Sequence, residues 1–126
     1  MRPLIIRGNL WRVVRVSPGD PLLIDRTGTS TIATTDPVDK VIRISTSVPL
    51  QMFDKVLLHE VAHAMMKEAG VTELLEQLTD GRQQVMTEEL LAWFLETYGI
   101  EIIDMTARSL GRPVCINDLC LRLTYD

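Results

Sequence analysis

Val56-Leu57-Leu58-His59-Glu60-Val61-Ala62-His63-Ala64-Met65-Met66 is the stretch that decides how this chain folds. Apolar residues at 53, 56, 57, 61, 64 and 65 recur at helical period, and no Pro or Gly intervenes before Gly70. A helix is therefore predicted over 53–69, with Asp54 in its first turn and Gly70 as its stop. On that helix His59 and His63 are four residues apart and share a face, so both imidazoles can point at one metal ion. Glu60 is rotated off that axis yet close enough to take a proton from a water beside the metal. The plainer alternative packs both histidines as neutral, hydrogen-bonded core residues and leaves Glu60 as a surface charge. Burying such groups without a use is costly, which favours the metal reading.

These are the only two histidines in the chain. A third histidine ligand is therefore excluded, and a catalytic zinc needs three protein ligands plus an open position. The third must be Asp, Glu or Cys. Glu68 and Glu73 are too near in sequence to fold back over the same helix face. Glu76 and Asp80 fall where the chain must turn. Glu88 and Glu89 open a second apolar-periodic segment, Thr87 to Tyr98, which Thr87 can cap and Gly99 can end. Their separation from His63 leaves room for a helix, a turn and a return. One of the pair can serve the helix dipole while the other reaches the metal.

Three stretches resemble a known family: Lys40-Val41-Ile42-Arg43-Ile44-Ser45, then Leu57-Leu58-His59-Glu60-Val61-Ala62-His63-Ala64, then Thr87-Glu88-Glu89-Leu90-Leu91-Ala92. Over about residues 28–110 the chain is similar to small gluzincin metallopeptidases of the ImmA/IrrE type, many of them phage or mobile-element proteins. The resemblance implies a zincin-like α+β fold in which a small twisted antiparallel sheet packs on the HExxH helix and a following glutamate helix. It implies Zn²⁺ held by His59, His63 and Glu89, with Glu89 preferred over Glu88, and Glu60 as general base. It also implies an edge strand that binds an extended peptide by strand addition. Thr29 to Thr35 is the candidate, although its pattern equally fits an ordinary solvent-facing strand. One departure stands out: where gluzincins often carry an acid four residues after the ligand, this chain has Ala92 or Trp93. Support for the first histidine then falls to a backbone carbonyl or Asp104. The usual oxyanion donor is a His or Tyr, which leaves Tyr98, Tyr125 or an Arg.

The whole chain sets looser bounds. Its 126 residues are 46% hydrophobic, enough for one domain spanning 1–126 with a real core. A net charge of −4 argues against general nucleic-acid binding. Arg2, Arg7, Arg12 and Arg15 do cluster, but among Ile5, Ile6, Trp11, Val13 and Val14 they read as the solvent face of a strand. Neither a signal peptide nor a membrane-length segment is visible, so no membrane partner and a cytoplasmic setting are expected. In such a setting Cys115 and Cys120 are expected to be reduced, whereas in a secreted chain they could pair. Nothing in the pattern fixes an oligomeric state.

Along the chain, Leu10–Val16 reads as a strand, Ser17–Pro21 as a turn, and Leu22–Asp25 as a short strand or loop. Thr29–Thr35 and Lys40–Ser45 read as a hairpin around Asp36-Pro37-Val38-Asp39. Val71–Gln77 is a short helix, and Ile100–Leu110 a further helix ending before Gly111. The expected function is zinc-dependent hydrolysis of a peptide or protein substrate. The competing expectation is a zincin-like metal-binding regulatory or interaction protein of a phage or mobile element, without general protease activity.

Overall fold

The computed structural model describes residues 1–25, 28–77, 84–116 and 119–121; side chains at 84–86, 88, 89, 92, 96 and 119–121 fall outside that description. The layout is α+β. Strands β1 (Leu4–Ile6), β2 (Asn9–Val16), β3 (Ala33–Asp36) and β4 (Val41–Ser45) precede helices α1 (Leu50–Glu68), α2 (Val71–Glu76) and α3 (Gln84–Leu110). A hairpin of β5 (Val114–Ile116) and β6 (Leu119–Leu121) follows.

The four strands form one sheet in the order β1-β2-β4-β3. An all-antiparallel sheet was expected, and the sheet is mixed: β2 and β4 run parallel, Val14 opposite Arg43. The reason is the connection. After β2 the chain makes a 3-10 turn at Pro21–Leu23, and β3 lies at the far edge. The β3–β4 hairpin then returns β4 into the gap beside β2. That hairpin was legible: Asp36 Oδ1 accepts from the N–H groups of Val38 and Asp39, which closes the turn. The observed β3 starts at Ala33, later than expected. The tight β1–β2 turn uses Arg7 and Gly8, both at positive φ, as a two-residue hairpin of this twist requires.

One face of the sheet carries Leu4, Ile6, Trp11, Ala33, Ile42 and Ile44. Against it pack Phe53, Leu57, Val61, Ala64 and Met65 of α1, and Phe94, Ile102 and Met105 of α3. Helix α1 begins at Leu50, one turn earlier than the periodicity indicated, and Gly70 at φ 75 ends it in a left-handed cap. Gly99 does not end a helix. Helix α3 runs unbroken from Gln84 to Leu110, merging the two expected segments. A glycine inside a helix costs about 1 kcal/mol relative to Ala. Phe94 on one side of it and Ile102 and Met105 on the other, all buried, outweigh that cost.

Candidate functional site

The middle turns of α1 present the motif in an unexpected orientation. Both histidines are exposed, whereas Glu60 is 7% exposed. This inverts the plainer reading, which buried the histidines and left the glutamate in water. Positions 57, 61, 64 and 65 take the core side of α1, so 59 and 63 fall on the opposite side. The two Nε2 atoms are 3.1 Å apart and the rings meet edge to face, with centroids 4.8 Å apart. Two nitrogens bound to one tetrahedral zinc at 2.0–2.1 Å lie about 3.3 Å from each other. The observed spacing is close to that, so the pair fits a shared ion without rearrangement of α1.

Glu60 turns toward the sheet. Its Oε2 accepts from the Thr35 hydroxyl at 2.5 Å, and the same hydroxyl lies 3.2 Å from the Glu60 main-chain oxygen. Thr35 belongs to β3, the edge strand. Ser45 N–H donates to Ile32 O, so by alternation the hydrogen-bonded pairs are 32/45, 34/43 and 36/41. The backbone N–H and C=O of Thr35 and the N–H of Ala33 therefore face an edge that no other described strand covers, the Ala33 C=O accepts from the Thr31 hydroxyl at 2.9 Å, and both side chains face α1. Residues 29–32, part of the expected edge strand, lie before β3, and the Thr31 hydroxyl donates back to Leu23 O.

Two other carboxylates of α1 are withdrawn from solvent and held differently. Asp54 was expected to serve the first helical turn. It is instead 3% exposed and receives both Arg112 guanidinium nitrogens, at 2.6 and 2.7 Å, plus the Cys115 N–H at 2.8 Å. Burial pushes its pKa up, but Arg112 and the Cys115 amide outweigh that and hold it below the usual value. Glu68 accepts from Asn9 Nδ2 at 2.6 Å, Trp11 Nε1 at 3.2 Å and Lys40 Nζ at 2.5 Å. Its burial likewise raises the pKa, and Lys40, Trp11 and Asn9 together leave it lowered.

Glu88 and Glu89 lie in α3 by their backbone, and their side chains are outside the described residues. Among the described residues no group of three His, Cys, Asp or Glu side chains converges on one point. Asp104, a candidate support for His59, pairs with Arg108 at 3.0 Å. Tyr98 stacks on Trp93 and Phe94 with Arg7 above it, and Tyr125 lies outside the described residues. The four arginines do not form one solvent face: Arg15 lies over the Phe53 ring at 4.7 Å while Arg12 points to the opposite face. A concave space of 610 Å³ has Arg15, Phe53, Leu110 and Arg112 among its walls and neither histidine.

Cys115 is disulfide-bonded rather than reduced. The chain's other cysteine, Cys120, stands opposite it in the β5–β6 register. Among the described residues no helix is long and apolar enough to cross a membrane. Thr35 is the site residue that sequence reasoning missed. Its strand was noticed only as an edge, yet period-two alternation already puts Thr35 on the same face as Ala33. Neither a protein-family model, nor a characterised protein, nor a solved structure matches the chain at a significant level.

Proposed function

We propose that this chain is a zinc metallopeptidase of zincin-like architecture that hydrolyses peptide bonds in a peptide or protein substrate. The observation that carries the reading is the inverted burial of the motif: two imidazole nitrogens 3.1 Å apart on the solvent side, beside a buried glutamate that meets no cation among the described residues. His59 and His63 would hold Zn²⁺, with Glu89 from α3 as third ligand. When bound, the ion supplies Lewis acidity to a water and to the scissile carbonyl. Glu60 takes the proton from the attacking water and delivers it to the departing amine. The outward N–H and C=O of Thr35, with the N–H of Ala33 beside them, offer an extended substrate strand addition at the β3 edge. A cytoplasmic setting belongs to this reading, and the Cys115 disulfide is the feature that bears against a reducing compartment.

The deciding experiment pairs metal analysis with a peptide-library digest of the wild type and Glu60→Gln. The expected result is one zinc per chain in both proteins and cleavage only in the wild type. Cleavage by Glu60→Gln would remove Glu60 from the mechanism, and a wild type without zinc would remove the metal. A second reading, a metal-binding regulatory or interaction protein of a phage or mobile element, is favoured by the exposure of both histidines. It predicts bound zinc with no cleavage by either protein.

A further inference from the structure

Thr35 stands at the meeting point of two things the peptidase reading needs. Its side chain touches the base, and its backbone faces the open sheet edge. A buried carboxylate without a cation depends on its hydrogen-bond donors for its position. Among the described residues the Thr35 hydroxyl is the donor to Glu60. That hydroxyl has one proton and two acceptors in reach, Oε2 at 2.5 Å and the Glu60 main-chain oxygen at 3.2 Å. Turning the proton from the first to the second frees the carboxylate without breaking the contact between β3 and α1.

We propose that Thr35 is a positioning residue: its hydroxyl holds Glu60, and an extended peptide that pairs with its backbone sets where Glu60 lies. Docking of the chain to be cut and placement of the base are then one event. Neighbouring Thr34 cannot substitute, since its hydroxyl donates to Leu22 O from the other face of the sheet. The inference rests on the peptidase reading, and its test separates the two.

Thr35→Val keeps the branched shape and removes the proton; Thr35→Ser keeps the hydroxyl. In the zinc-loaded full chain, Thr35→Val is expected to lower kcat about tenfold or more, since small misplacements of a reacting group are costly. KM should stay within about twofold, because the docking bonds come from the backbone. Thr35→Ser should restore most of kcat. If Thr35→Val fails to fold, Thr35→Ala replaces it. The second readout is the Glu60 side-chain carboxyl ¹³C resonance in the metal-free protein. It should move in Thr35→Val and return in Thr35→Ser. Wild-type kcat in Thr35→Val, or an unmoved Glu60 resonance, overturns the proposal. Equal loss in Thr35→Ser does so too, since it would mark a packing role. If the wild type cleaves no peptide, the peptidase reading fails on its own. The Glu60 resonance then decides alone whether Thr35 holds that carboxylate.

Discussion

The two ends of α1 and its middle turn treat a withdrawn carboxylate in opposite ways. At the ends, Asp54 and Glu68 each meet a cation and at least one further donor. In the middle, Glu60 is equally hidden but meets a single hydroxyl, and no cation among the described residues. Sequence offers no such distinction: all three are acids at positions that helical periodicity places on or beside the packed face. The difference separates acids held by a counter-charge from one held by a hydroxyl. A carboxylate neutralised by Arg or Lys is committed to the fold, whereas one left without a counter-charge costs stability, and a protein retains such a group where function uses it.

Exchanging each acid for its amide puts that contrast at risk. The largest effect expected is on activity: Glu60→Gln should lower kcat about 10²- to 10⁴-fold, the range for removing a general base. Its melting temperature should be unchanged or higher, because an uncompensated charge leaves the interior. A loss of stability matching that of the other two exchanges would make Glu60 a structural acid and dissolve the comparison. Next comes Asp54→Asn, which breaks charged bonds to Arg112 and should cost about 2 kcal/mol by denaturant titration. Glu68→Gln should cost less, about 1 kcal/mol, since the amide oxygen can still accept from Trp11 or Asn9 and the Lys40 side chain is 35% exposed.

Acid titration provides a finer cut. Asp54 and Glu68 have folded pKa values lowered from 3.8 and 4.5. Their contribution is therefore complete above those unfolded values and lost as pH falls through the lower folded ones. Wild-type stability should decline below about pH 4.5. The double variant Asp54→Asn, Glu68→Gln should show a shallower decline across the same range. Parallel curves for the two proteins would mean that neither acid is held as described.

What the sequence disclosed was local. The HExxH helix, the β3–β4 hairpin and the Gly70 stop depend on neighbours within a few residues, where period and turn chemistry act. What it withheld was long-range. Nothing near Val14 or Arg43 signals a parallel pairing, since sequential strands usually lie side by side. The partner of Asp54 is Arg112, 58 residues away, and that of Glu60 is Thr35, 25 residues away. Gly99 misled for a related reason, because buried residues on either side carry the helix through it. Around the motif, the shared face of His59 and His63 was readable. The fastening of Glu60 was not, because a threonine in a strand carries no mark of what it faces.

The unbroken course of α3 has a mechanical consequence. Twenty-seven residues make a rod about 40 Å long. Its far end is moored: Ser109 Oγ donates to Arg2 O, and Arg2 N–H donates to Ser109 O. Its near end carries the backbone of Glu88 and Glu89. A rigid rod converts tilt into travel, so a rotation of about 5° moves a point about 30 Å from its pivot by roughly 2.6 Å, given 1.5 Å of rise per residue. Two separate helices would have absorbed such a tilt in the joint at Gly99. A single rod cannot, so the Arg2–Ser109 mooring some twenty residues away bears on where the backbone of Glu88 and Glu89 lies.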